Sequence, residues 1–269
     1  MKRFRKLSII FAVIFTIIII LFFMFFSNRS IQNIQAIDNN LKRAYLDNKI
    51  DANGDGEISV AELKAKTGDI DFSGYGIENL NSIKYLTRII SLNVSRNKIE
   101  DITEIGTLDK LEVLDISNNR VTNISCVSKL ISLSVLDATN NSIQNIEAIA
   151  GHKRIEWLSL GVNKITNITP IYSMPNLKYA GFFTNKISEI GIYSENRNLL
   201  VLNLNENSIE DITRIQLFKV LKELDIANNK IHRILPINLM NSLKILDISG
   251  NPVEDLSKLN ELKFDKLYK

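Results

Sequence analysis

A 22-residue period, held in register over most of the chain, limits what this sequence can fold into more than any other feature. From Ser91 the chain reads SLNVSRNKIEDI, and the pattern returns as VLDISNNRVTNI, VLDATNNSIQNI, WLSLGVNKITNI, YAGFFTNKISEI, VLNLNENSIEDI, ELDIANNKIHRI and ILDISGNPVEDL. One asparagine recurs at Asn97, Asn119, Asn141, Asn163, Asn185, Asn207, Asn229 and Asn251, while a degenerate earlier copy places Tyr75 there. A fixed period of this length means stacked units, each burying its apolar side against its neighbours. The L-x-L step suits one short strand per unit. Between strands the apolar residues fall every third position, as in Ile105, Leu108, Leu111 and Leu114, which fits a 3₁₀ or extended return arc. The expected fold is an α/β solenoid over residues 69–269, about nine coils and a terminal half repeat, with a concave parallel sheet and a 3₁₀ or extended convex side. The charged tail KFDKLYK is expected to blunt the last coil. The repeated asparagine reads as a structural ladder, because its amide both donates and accepts where the strand turns and has no useful pKa for catalysis.

The net charge of +3 is set by Lys2, Arg3, Arg5 and Lys6; removing these four leaves 3 − 4 = −1 for the rest, which argues against a nucleic-acid partner. Behind this basic segment (1–6), residues 7–26 form 20 uncharged positions, enough at about 1.5 Å per helical residue to span a bilayer core of about 30 Å. The flanking charges place the N-terminus in the cytoplasm and the remainder outside. The stretch reads as a transmembrane signal anchor, with a cleaved signal peptide as the alternative. Residues 27–37 then form a linker. The single cysteine, Cys126, excludes an intramolecular disulfide. It has no histidine beside it in the pattern and reads as a core filler. His152 falls on the return-arc apolar register and His232 on a loop in another sector, so no catalytic constellation is present and the chain is not expected to be an enzyme.

Ahead of the repeats, residues 51–62 read DANGDGEISVAE, which fits a twelve-residue EF-hand loop. Asp51, Asn53 and Asp55 offer side-chain oxygens from alternate residues, and Glu57 offers its carbonyl. Ser59 can hold a bridging water, Glu62 closes the shell, and Gly56 permits the turn. The expected ligand is one Ca²⁺, the competing reading being a polar turn between two short helices. Helix-compatible stretches at 38–48 and 60–66 would make residues 38–68 a small helical cap over the apolar end of the first coil.

Strand alternation sends the position before each first ladder residue outward: Ser91, Val113, Val135, Trp157, Tyr179, Val201, Glu223 and Ile245. The next outward column holds Asp115, Asp137, Asp225 and Asp247, and a third holds Gly161 and Phe183. Trp157, Tyr179 and Phe183 therefore meet on two central coils, flanked by Val135 and Val201, with Gly161 and Gly181 expected to leave the backbone open beside them. Exposed aromatics of this kind anchor protein or glycan ligands, and Asp115 and Asp137 would favour basic groups.

The unit L-x-L-x-x-N-x-I-x-x-I, headed by a cap with an EF-hand-like loop, resembles the internalin-type leucine-rich-repeat proteins of Gram-positive bacteria, over about 230 of the 269 residues. The resemblance implies a horseshoe, a calmodulin-like cap reproduced by Asp51, Asn53, Asp55, Glu57, Ser59 and Glu62, and a protein ligand on the concave face. The expected function is a cell-surface binding protein, held at the membrane by residues 7–26. A structural or envelope-assembly spacer is the alternative.

Overall fold

The computed structural model describes residues 37–191, 198–261 and 263–269. The expected membrane segment, residues 7–26, lies outside them, as do the basic segment and most of the linker. Among the described residues no helix is long and apolar enough to cross a membrane.

Two short helices open the described chain. Helix α1 (Asn39–Asp47) starts at Asp38, whose carboxylate accepts the N–H groups of Asn40 and Leu41. Helix α2 (Val60–Ala65) starts in a capping box, the Ser59 hydroxyl accepting the Glu62 N–H while the Glu62 carboxylate accepts the Ser59 N–H. Leu41, Ala44, Tyr45, Ile50, Ile58 and Leu63 are buried and join the core of the first coil. Tyr45 meets Phe72 edge to face at 5.4 Å, and its hydroxyl pairs with that of Ser82 at 2.8 Å. The first coil lacks the asparagine, and α1 clasps it instead. The Asn40 amide donates to the Gly76 carbonyl, and the Arg43 guanidinium lies over the Tyr75 ring.

Ten strands follow: β1 (Gly68–Asp71), β2 (Ile89–Asn93), β3 (Val113–Asp115), β4 (Val135–Asp137), β5 (Trp157–Ser159), β6 (Tyr179–Gly181), β7 (Val201–Asn203), β8 (Glu223–Asp225), β9 (Ile245–Asp247) and β10 (Lys266–Tyr268). They form one sheet in sequence order, and every pair is parallel. The return arcs carry 3₁₀ turns such as Thr103–Thr107, Ser125–Lys129 and Thr213–Leu217, as the period of three predicts. The strand ladder Leu92, Leu114, Leu136, Leu158, Ala180, Leu202, Leu224 and Leu246 is buried, and the arc residues pack behind it. A 3₁₀ arc is wider than an extended strand, so the sheet takes the inner side of the curve.

At the C-terminus, where the terminal half repeat is expected, Lys266–Tyr268 adds a tenth strand, with Leu267 opposite Leu246. That step is 267 − 246 = 21 residues, so the shortened last coil falls out of register with the repeat.

Each ladder asparagine makes the same bonds. The Asn163 amide donates to the carbonyls of Ala138, Leu160 and Gly161 at 3.0, 3.1 and 3.1 Å, and its oxygen accepts the Ile143 N–H at 2.9 Å. The residue before it turns left-handed: φ is between 53° and 56° at Arg96, Asn118, Asn140, Val162, Thr184, Glu206 and Asn228. L residues enter this region at a cost, and β-branched ones most of all, so Val162 and Thr184 are strained where Asn and Gly elsewhere in the column are not.

Candidate functional site

Strand register brings the outward columns together as expected. Trp157 of β5 lies opposite Tyr179 of β6, with Val135 and Val201 on the strands to either side. The Trp157 and Tyr179 rings stack with centroids 5.0 Å apart and planes 8° from parallel. Near-parallel rings this close cannot lie side by side in one plane without interpenetrating, so the pair stands up from the sheet and turns its edges outward. Both rings are half-buried, as are Val135, Val201 and Phe183.

The two glycines do not leave open backbone. A Cβ on Gly161 would overlap the Phe183 ring, and one on Gly181 would sit 2.9 Å from the Tyr179 hydroxyl. Both are buried beneath aromatic side chains that lean over them. The missing side chains thus leave the space into which Phe183 and the Tyr179 hydroxyl reach. Val162 and Thr184, the two strained residues, occupy the same two coils.

The acidic column has a structural part that sequence reasoning missed. Asp115, Asp137, Asp225 and Asp247 each accept, through Oδ1, the N–H two residues on, at 2.8, 2.9, 3.1 and 3.0 Å. These are Asx turns that end the strands. Burial raises the pKa of Tyr179, and the charge of Asp137 raises it further. Asp225 is also raised, first by burial and then by the charge of Asp247, against the lowering effects of the Ala227 N–H and the Asn205 side chain.

The loop at 51–62 closes on itself. Asp51 accepts the N–H groups of Gly54 and Gly56 at 2.7 and 2.9 Å, and Asp55 accepts that of Glu57 at 2.8 Å. The Asn53 amide donates to Asp55. Glu62 joins the two ends, taking the Ala52 N–H on one oxygen and the Ser59 N–H and hydroxyl on the other. Gly54 and Gly56 have φ of 73° and 77°, and Glu57 pairs with Lys42 at 3.0 Å. Among the described residues no three His, Cys, Asp or Glu side chains are gathered in a way that could hold a metal ion. The carboxylates are spread along backbone N–H groups instead. As a donor set the loop consists of hard oxygens, the chemistry of calcium rather than of zinc or copper; the Asp51 and Asp55 oxygens and Glu62 Oε1 accept one hydrogen bond each and keep a second lone pair, while Glu62 Oε2 accepts two.

The remaining candidates are structural. Cys126 is buried behind Gly106 with its thiol pushed up to about 11, chiefly by desolvation, and donates to the Ile102 carbonyl. His152 is buried with Nε2 2.9 Å from the Leu130 carbonyl. His232 is exposed beside the Lys230 carbonyl.

A leucine-rich-repeat family model matches the chain at residues 109–151 and 219–261. The coils in these two segments are thus leucine-rich repeats. Among solved structures, an internalin (inlF) of Listeria monocytogenes is 24% identical with a TM-score of 0.69, over 86% of this chain and 75% of that one. Internalin C2 (inlC2) of the same organism is also 24% identical, with a TM-score of 0.61, over 86% of this chain and 92% of that one. The fold is therefore that of the internalin-type leucine-rich-repeat proteins. The plant peptide hormone receptor RGFR1, solved in complex with RGF2, is 25% identical with a TM-score of 0.55, over 69% of this chain and 30% of that one. No curated protein matches the chain.

Proposed function

We propose that the chain is a cell-surface binding protein that captures a protein ligand on the outer face of its sheet, centred on Trp157 and Tyr179. The observation that carries this reading is the stacked pair itself, standing edge-outward between Val135 and Val201 at the centre of the face. Large rings held by packing anchor partners at small entropic cost. The plant receptor supports the same use of the fold, since that structure contains a bound peptide hormone. A glycan fits less well, because a sugar stacks on an open ring face and stacking covers one face of each of these rings with the other. Residues 7–26 would hold the protein at the membrane with the repeats outside. Calcium at the loop, held by Asp51, Asn53, Asp55 and Glu62 with the Glu57 carbonyl and Ser59, would stiffen the cap.

The test is replacement of both Trp157 and Tyr179 by Ala, which should weaken capture of a surface partner by roughly 30-fold or more, the loss expected when hot-spot side chains are removed. Capture by the double variant equal to that of the native protein would refute the reading, and binding that survives only between copies of the chain would favour the spacer role.

A further inference from the structure

The outer face of the sheet carries far more negative charge than a near-neutral chain requires. Its two strand columns present Asp69, Asp71, Asp115 and Asp137 on the N-terminal side, and Glu223, Asp225 and Asp247 on the C-terminal side. Lys266, in the last strand, is the one cation in those columns. Between the two acidic groups, the three strands β5, β6 and β7 present no charge at all and carry the aromatic pair.

Folding does not account for the charge. Asn93 and Asn203 stand in the same column and accept the N–H two residues on at 2.9 Å each, the bond that Asp71, Asp115, Asp137, Asp225 and Asp247 make. The turn needs an oxygen, and a neutral amide supplies it. Like charges directly opposite on neighbouring strands, as Asp115 and Asp137 or Asp225 and Asp247 are, also disfavour the fold. No ion pair of the described residues involves any of the seven carboxylates. A charge that the turn does not need and that has no ion-pair partner among the described residues is available to a partner outside the chain.

We infer that this face takes a cationic protein segment, with one basic cluster on Asp115 and Asp137, another on Glu223, Asp225 and Asp247, and an apolar side chain between them on the Trp157–Tyr179 pair. The inference rests on the reading of this face as the ligand-binding surface. From Asp137 on β4 to Asp225 on β8 is four strand steps, about 19 Å at the usual spacing of parallel strands. An extended segment spans that distance in roughly six residues. The partner is therefore an extended stretch with Lys or Arg at both ends of such an interval and a large apolar residue midway.

Trp157 is the only tryptophan, so its emission reports occupancy of this face directly. The experiment titrates the full-length protein with three synthetic peptides of one design: Lys-Arg pairs at both ends and leucine midway, the same peptide with Asp-Glu pairs, and a neutral version. The cationic peptide should shift the Trp157 emission saturably and weaken as salt is added. The joint replacements Asp137→Asn and Asp225→Asn, which keep the turn oxygens, should reduce its affinity tenfold or more. Equal binding of the acidic peptide, or unchanged affinity in the double variant, overturns the inference while leaving the face a ligand surface. An emission that responds to none of the three peptides also overturns the inference, while the ligand surface itself stands or falls with the Trp157 and Tyr179 double variant.

Discussion

Removing one ladder amide, by Asn163→Ala, tests how the coils are joined. Asn163 is 8% exposed, too little for water to replace it. Its three carbonyl acceptors suffer alike, and mildly. The carbonyl of Ala138 also accepts the Asn141 amide, that of Leu160 the Asn185 amide, and that of Gly161 the Asn140 N–H. Each keeps one donor. The Ile143 N–H has no such reserve, because Asn163 Oδ1 is its acceptor at 2.9 Å. A buried donor left unpaired costs about 1–3 kcal/mol, and the three weakened carbonyls add about 0.5 kcal/mol each. The expected loss is about 3–4 kcal/mol. With an m-value of about 2–3 kcal/mol/M, the urea midpoint should fall by roughly 1–2 M. Circular dichroism would follow the whole chain, and Trp157 fluorescence would follow the coil that carries the change. Asn163→Asp should be worse than Asn163→Ala, since a carboxylate would face three carbonyl oxygens. A loss below about 1 kcal/mol for Asn163→Ala, or an aspartate that is tolerated, would refute the ladder as the bond between coils.

Val162→Asn should relieve the left-handed strain at φ 53° and stabilise the chain by about 1 kcal/mol, raising the thermal midpoint by roughly 2–4 °C; a midpoint that does not rise would show that the β-branched residue sits there without strain. For the cap, chelation of calcium should lower the thermal midpoint of the native protein, and Glu62→Gln should remove the difference between calcium and chelator. Melting that is indifferent to millimolar calcium would leave residues 51–62 as a hydrogen-bonded turn and nothing more.

The repeat scaffold is legible in the sequence because a ladder must reuse the same residue type at the same interval. Ladder leucines, asparagines and the period-three arcs all announce themselves in that way. The tenth strand is hidden for the same reason: Leu267 follows Leu246 by 21 residues, and a reading keyed to 22 passes over it. The left-handed column left a signal that could have been used, since Gly74, Asn118, Asn140, Asn228 and Gly250 precede the ladder position and are the residue types that tolerate positive φ. At the candidate site the register correctly brought Trp157 to Tyr179. It could not say what the glycines do, because the direction in which a ring leans depends on the space beside it, and Gly161 and Gly181 supply that space. Nor does the sequence separate the aspartates' two roles, since Asp and Asn end the strand equally well and only the hydrogen bonds show that the charge is surplus.

The ladder bonds have one more property. Each asparagine reaches back 25 residues for a carbonyl and 20 for an N–H, whichever coil it belongs to. The joints between coils are therefore interchangeable, and the excision or duplication of one whole unit would rejoin matching partners on both sides of the splice. The length of the face is consequently graduated, like the marks on a ruler: each unit gained or lost between β4 and β8 moves the two acidic groups by one strand spacing, about 4.8 Å. A lineage of such chains could retune the distance between its two charged grips by recombination alone, with no side chain redesigned.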